Sequence, residues 1–484
     1  MKKSGIEAGY EVVMGLEVHV ELATQTKIFC GCEVAFGAPP NTQVCPVCLG
    51  MPGSLPVLNE KVVELALKAA LALGCEISEI SHQDRKNYFY PDLPKAYQIS
   101  QNDAPIGKNG RLAIETADGE RMIGITRLHI EEDAGKLIHD SSKGTLIDYN
   151  RGGVPLIEIV SEPDFRTAEE VKAYLLKLKS TLQYLGVSSC KMNEGAFRCD
   201  VNLSVRKVGD PQMGTRTEMK NLNSIAFIVK AIESEALRQI KLLESGDQVV
   251  QETRRWDPVK GISTAMRSKE NAHDYRYFPD PDLATILLSH EMVNAAKATL
   301  PLLPDDYKRL FVLNDGIRPD VAEVLVSDKG LADYYRACAE QTAYKTVLAN
   351  LLVTEVLRMA DKAGDDETVI AIRPEAMVSL VALIGEERIN LGIAKRVLSA
   401  LWESDKRPVQ IIDENDWWPL KDLASLEALA EMILKETPQI LVDYHNGKTQ
   451  AFGAFMGQMM KRSQGKADPA LSESLFHEIA KRRL

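Results

Sequence analysis

The 484-residue chain predicts an α+β protein: one large antiparallel-sheet domain, then an all-helical domain, then a small helical tail. Three observations lead there. Residues 10 to about 290 mix strand-like and helix-like runs. The strand-like runs alternate apolar and polar residues at period two, the mark of a sheet with one buried face. Beyond the proline-marked stretch "ATLPLLPDD" (298–306) the pattern is helical throughout. The expected divisions are therefore 1–300, 301–412 and 413–484, with a cysteine-bearing insertion at 30–48.

The first element is a strand over Glu11–Leu22. Val12, Met14, Leu16, Val18, Val20 and Leu22 fall on one face, and Glu17, His19 and Glu21 on the other. At about 3.3 Å per residue, neighbours on a face stand roughly 6.6 Å apart. Carboxylates beside an imidazole form a donor set for a divalent metal, and also the composition of a solvated sheet face. Next come Cys30-x-Cys32 and Cys45-Pro-Val-Cys48. Two thiolate pairs on tight turns can close a tetrahedral zinc site, and four sulfurs leave no open position, so the role is structural. Pro46 and Gly50 suit the turn this needs. Cys75, Cys190, Cys199 and Cys338 are scattered and read as core residues.

The loop "DRKNYFYPDLPKAYQIS" (84–100) interleaves Arg85, Lys86 and Lys95 with four aromatic residues. Cations for phosphates and rings for a base could hold a nucleotide there, though a packed structural loop has the same composition. "LHIEEDAG" (128–135) ends a strand with His129, Glu131, Glu132 and Asp133. Strict alternation groups Glu131 with His129, but the turn that follows leaves the choice between Glu131 and Glu132 open. "GGVPLIEIVSEPD" (152–164) sets Glu158 inside an apolar run, where a carboxylate needs a cation as partner.

A helix over 168–184 follows, with Thr167 and Glu170 as a capping box and Gly186 past its end. "RCDVNLSVRK" (198–207) and "TRTEMK" (215–220) predict an antiparallel hairpin. Asp200, Asn202 and Arg206 lie on one strand's polar face, and Arg216, Glu218 and Lys220 on the other's. A second helix starts after "KNLNS" (220–224), capped by Asn223 or Ser224, and runs to about Glu244. Its N-terminus could hold an anion. "HDYRYFPDPDL" (273–283) is another acidic-aromatic loop. Residues 333–360 read as one long amphipathic helix, 361–374 as a loop, and 403–420 as a second break.

Composition narrows the function. Net charge is −11, with 45% hydrophobic and 26% charged residues, an ordinary globular balance that excludes a general nucleic-acid coat protein. A local RNA patch remains open, because residues 441–484 carry seven Lys/Arg against four Asp/Glu. No apolar run reaches membrane-spanning length, and the start has no apolar signal segment, so a cytoplasmic protein without a membrane role is expected. There is no phosphate-binding G-x-x-x-x-G-K-[ST], no dinucleotide G-x-G-x-x-G after a strand and no G-x-S-x-G elbow. A nucleotide would have to bind on a sheet, through metals and scattered cations.

"GLEVHVEL", "RKNYFYPDLPKAYQISQ", "ITRLHIEEDAGK", "YNRGGVPLIEIVSEPD", "KNLNS", "QETRRWD", "DYRYFPDPDL" and "NGKTQAFGAFMGQMMKRSQGKADP" occur in this order. Together they resemble the B subunits of tRNA-dependent amidotransferases acting on glutamyl-tRNA(Gln) and aspartyl-tRNA(Asn), over nearly the whole chain. The resemblance implies a glutamine synthetase-like cradle, a helical domain and a tRNA-gripping tail. It implies a heterotrimer with an amidase A subunit and a small C subunit. It implies ATP- and magnesium-dependent phosphorylation of the side-chain carboxylate of a misacylated tRNA, then amidation by ammonia from the partner. The family's magnesium site falls on Glu17, His19, Glu131 or Glu132, and Glu158, and the four cysteines match its zinc-bearing branch. Arg85, Lys86, Arg206, Glu218 and Lys220 are the ATP-binding candidates, chosen from charge and sheet position. A non-catalytic tRNA adaptor and a free-standing small-molecule ligase are the alternatives.

Overall fold

A computed structural model describes residues 9–140, 142–268, 274–363, 370–448 and 450–483. The chain forms two compact units, 1–303 and 304–484, and the division falls inside the proline-marked stretch.

The first unit is built on a nine-stranded sheet. Its strands are β1 (Tyr10–Glu21), β2 (Glu76–Ile77), β6 (Gly107–Thr116), β7 (Gly119–Glu132), β10 (Pro155–Ser161), β11 (Phe197–Lys207), β12 (Thr217–Lys220), β13 (Glu252–Asp257) and β14 (Ile262–Ser268). The order across the sheet is β14-β13-β12-β11-β1-β10-β7-β6-β2. The expected antiparallel sheet needs one correction: β12 and β13 run parallel. The reason is topological, since the chain between them is a helical crossover, which returns a strand in the same direction. Smaller sheets join β3 (Ile80–Ser81) to β16 (Ile286–Leu287), β4 (Asp84–Asn87) to β5 (Tyr97–Ser100) and β15 (Phe278–Pro279), and β8 (Lys136–Asp140) to β9 (Gly144–Asp148).

The apolar face of β1 (Val12, Met14, Leu16, Val18 and Val20) is buried, as its alternation predicts. Helices α1 (Glu60–Ala72), α2 (Ala168–Tyr184) and α3 (Ile225–Glu244) close the core over that side of the sheet. Their ends are set locally. Thr167 Oγ1 accepts from the Glu170 amide at 3.2 Å while Glu170 accepts from the Thr167 amide at 3.1 Å, completing the capping box. Ser224, rather than Asn223, caps α3 by accepting from the Phe227 amide. A fourth helix, α4 (His290–Ala298), follows. The opposite face of the sheet stays polar and carries the site.

The second unit is helical: α5 (Pro304–Leu313), α6 (Pro319–Leu325), α7 (Lys329–Ala339), α8 (Lys345–Leu351), α9 (Leu357–Ala363), α10 (Pro374–Gly385), α11 (Leu391–Trp402) and α12 (Pro408–Glu414), then α13 (Leu423–Glu436), α14 (Gln439–His445), α15 (Gln450–Arg462) and α16 (Pro469–Arg482). The long helix expected over 333–360 is broken. It stops at Ala339 and restarts at Lys345, with a π turn at Leu352–Val356. Tyr344 is drawn out of helical geometry at the break, and its ring lies against Gly385, where a Cβ would come within 2.2 Å of it. The expected loop after 361 falls partly outside the described residues, and α9 takes its first positions. Helices α13–α16 share their own core around Leu426, Phe455 and Phe476.

Candidate active site

Strand register assembles the site. Across antiparallel strands, directly opposed residues share a face. His19 opposes Glu158 on β10 and Arg198 on β11, and Glu158 opposes His129 on β7. Glu17 opposes Asp200, and Asn202 opposes Glu218. One row of the sheet therefore reads His129–Glu158–His19–Arg198, and the next sets Glu17 beside Asp200.

Two carboxylate clusters result. In the first, ligand atoms of His19, Glu131 and Glu158 lie within 4.8 Å of one another. His19 Nε2 is 3.5 Å from Glu158 Oε2, and His129 Nε2 is 3.6 Å from the same oxygen. In the second, Glu17, Asp200 and Glu218 converge equally closely. Lys220 sits among them, bonded to Asp200 and 2.9 Å from Glu218 Oε1. Asn202 donates to Glu17 at 3.0 Å, and Thr253 donates to Glu218 at 2.8 Å.

The electrostatics show how crowded the negative charge is. Burial, then the charges of Glu158, Asp200 and Glu218, raise the Glu17 carboxyl. Burial pushes Glu131 up to about 7, with Lys86 opposing and Glu158 reinforcing the shift. Burial would raise Glu158 too, but His129 and His19 win and hold it well below the carboxylate range. Burial lowers His129 to about 4. Glu131 Oε1 and His129 Nδ1 are buried without a hydrogen-bond partner. A buried carboxylate oxygen that accepts no hydrogen bond and stands among other acids is what a bound cation satisfies, so these residues fit a divalent metal.

An open cleft of ≈ 980 Å³ covers both clusters, lined also by Lys86, Arg127, Arg216, Tyr275 and Tyr277. The two aromatic loops meet here. Arg85 of β4 pairs with Phe278 of β15, and the Asn87 amide donates to the Tyr275 carbonyl. Lys86 thereby stands 3.7 Å from Glu131 Oε1 and 5.2 Å from the Tyr275 ring centre.

The structure separates other candidates from the clusters. Glu132 turns to the opposite face, where Lys95 grips both its oxygens and the Ile99 amide donates at 2.8 Å. Alternation thus persists to the end of β7. Arg85 is clamped by Asp280 at 2.6 Å and Asp282 at 3.2 Å and lies over Tyr97. Arg206 opposes Glu11 at the far end of β1 and pairs with it at 2.8 Å. Glu21, beyond His19 on the same face, is raised to about 7 by burial and then by Asp133. Asp200 was visible on the polar face of its strand, but register alone joins it to Glu17.

The four cysteine sulfurs lie within 4.8 Å of one another. Zinc–sulfur bonds of about 2.3 Å require sulfurs about 3.8 Å apart, and Cys45 and Cys48 stand at 3.9 Å. The Cys45 amide points at Cys48 Sγ from 3.1 Å. Gly50 is needed beside them, since it has φ +64° and a Cβ would strike Lys95 at 2.4 Å. A hydrogen bond from Cys30, ahead of a contribution from Lys27, holds the Cys48 thiol at about 4.

A sheet face that gathers acid clusters within a ring of lysines, arginines and tyrosines defines a site for cations and anions together. The sequence comparisons specify it further. A family model described as "GatB/GatE catalytic domain" matches residues 12–294, and one described as "GatB domain" matches 333–479. Proteins named as the B subunit of an aspartyl/glutamyl-tRNA(Asn/Gln) amidotransferase are similar along nearly the whole chain. That of Caldanaerobacter subterraneus subsp. tengcongensis is 50% identical over 97% of this chain and 99% of its own. That of Carboxydothermus hydrogenoformans is 50% identical over 98% and 99%. The chain belongs to the family of aspartyl/glutamyl-tRNA(Asn/Gln) amidotransferase B subunits.

Among the described residues no helix is long and apolar enough to cross a membrane.

Proposed function

We propose that this chain is the carboxylate-activating subunit of a tRNA-dependent amidotransferase. It phosphorylates the side-chain carboxylate of Glu-tRNA(Gln), Asp-tRNA(Asn) or both with ATP, and then exchanges phosphate for ammonia. The ammonia comes from a partner amidase A subunit, with a small C subunit completing a heterotrimer. The first unit is the cradle in which this happens, related in fold to glutamine synthetase.

The observation that carries the reading is the pair of acid clusters side by side on β1 and its neighbours. His19, Glu131 and Glu158 would hold one magnesium ion, and Glu17, Asp200 and Glu218 a second. Bound there, magnesium would neutralise the charge that builds when a carboxylate oxygen meets a triphosphate. Lys86, Arg127, Arg216 and Lys220 supply the fixed positive charge for phosphate oxygens, and Tyr275 and Tyr277 form an apolar wall. His129 is buried and neutral near pH 7, so it orients Glu158 without adding charge. Glu132, Arg85 and Arg206 hold the scaffold through Lys95, Asp280 and Glu11. Cys30, Cys32, Cys45 and Cys48 would carry a structural zinc ion.

The test is ATP hydrolysis by the reconstituted heterotrimer with magnesium and without glutamine, comparing charged with uncharged tRNA. Glu17→Gln and Glu158→Gln are each expected to lower charged-tRNA-dependent ADP release by on the order of a hundredfold or more. Unchanged release in both variants would move the kinase site elsewhere and leave a tRNA adaptor.

A further inference from the structure

Lys27 is completely buried, yet no carboxylate pairs with it among the described residues. The acids lining the cavity it shares are occupied: Glu132 by Lys95, and Asp280 and Asp282 by Arg85. Its ammonium donates to the Tyr149 carbonyl at 3.2 Å and faces Cys48 Sγ at 3.8 Å. A buried ammonium with no counter-charge is strongly disfavoured. Two disulfides supply none, and without metal the Cys48 thiolate is the single negative group that faces the ammonium. Four thiolates around one zinc ion carry two net negative charges and supply the counter-charge.

We infer that Lys27 is the charge partner of a metal-loaded tetrathiolate, a positioning residue that raises zinc affinity and locks the cysteine module to the sheet. This rests on the zinc reading above. The lock is visible in the backbone. The Lys27 amide donates to the Cys32 carbonyl and the Ile28 amide to the Gly153 carbonyl, each at 2.9 Å. Gly153, at φ +82°, makes the turn, and its Cα lies beside both groups: a Cβ there would be in ordinary contact, 3.6 Å from Lys27 Cδ and 3.7 Å from Cys48 Cβ. Tyr149 and Gly153 belong to the turn that leads into β10, the strand of Glu158. A metal-loaded Cys module therefore braces the entry to the acid cluster through Lys27, alongside the bonds that Asn41 and Gln43 make to the same turn.

The experiment uses the full chain, with zinc content by elemental analysis, zinc affinity by competition with a chromophoric chelator, and melting with zinc or after stripping. Lys27→Met is expected to bind zinc at least tenfold more weakly, the range seen when an outer partner of a metal ligand is removed. It should melt below wild type when both hold zinc, and the deficit should shrink when both are stripped, because stripping leaves one thiolate, Cys48, in place of the doubly negative zinc cluster. Lys27→Gln keeps a donor for Tyr149 without the charge, and should weaken zinc equally if the methionine variant fails to fold. Unchanged zinc affinity with lower melting in both states would make Lys27 a packing residue and overturn the proposal, while one zinc per chain would still uphold the zinc site. A wild-type chain that takes up no zinc would instead remove the zinc reading itself.

Discussion

Glu131 and Glu132 are adjacent in sequence and opposed in the fold. One strand step separates a carboxylate among histidines and acids from one sealed by Lys95. That step has a measurable consequence. Burial holds Glu131 protonated up to about 7, against an ordinary value near 4.5, so metal binding must expel its proton. His19, which burial lowers but Glu158 and Glu131 raise on balance, must lose a proton as well. Magnesium affinity of the isolated chain should therefore rise between about pH 6 and pH 8, and more steeply than about tenfold per unit at the acid end. Calorimetry in buffers of different ionisation enthalpy reads the released protons. Flat affinity across that window would show that Glu131 takes no part in holding the ion. A second contrast separates the cations. Lys220→Met should lower kcat on the order of a hundredfold, because the ammonium stands among Glu17, Asp200 and Glu218. Arg206→Ala, whose partner is Glu11 at the strand's other end, should stay within about threefold.

Elements whose ends are set locally were legible in the sequence. Helices α2 and α3 begin and end where their caps place them, because an N-cap is a bond between near neighbours. The break between α7 and α8 has no glycine or proline to announce it. It depends on Tyr344 finding space over Gly385, forty-one positions onward, which periodicity cannot see. Gly385→Ala puts a methyl group into that ring. It should cost about 1–3 kcal/mol, read as a lower denaturation midpoint of the helical unit. An unchanged midpoint would mean that the ring does not fix the break. The parallel β12–β13 pair was hidden for a related reason, since alternation marks a strand but not its direction.

At the scale of the molecule, charge counts in the sequence mislead unless the fold is consulted. Residues 441–484 are basic, yet Arg462, Arg482 and Arg483 pair with Glu436, Glu427 and Glu431 from α13. Over 413–484 there are nine Lys/Arg against eleven Asp/Glu. The tail's positive charge is thus largely matched, and any grip on tRNA rests on geometry and on cations such as Lys461 and Lys481. A cut at 413 would pass through α12, so truncation after Trp418 is the cleaner test. The truncated chain should keep zinc and magnesium binding and lose at least about tenfold in affinity for charged tRNA. Retained affinity would assign tRNA binding to other parts of the protein.

The amino-acid order carried the α+β class, the caps, the polar face of β1 and the cysteine quartet, because each depends on residues close in sequence or on a fixed period. It also carried the family, through long motifs in a set order. Folding alone chose between Glu131 and Glu132, added Asp200 to Glu17, joined the two aromatic loops and sent Arg85 and Arg206 to scaffold acids. Those choices are set by strand register and by contacts between residues far apart in the chain, where side-chain chemistry says which pairs are possible and only packing says which are made.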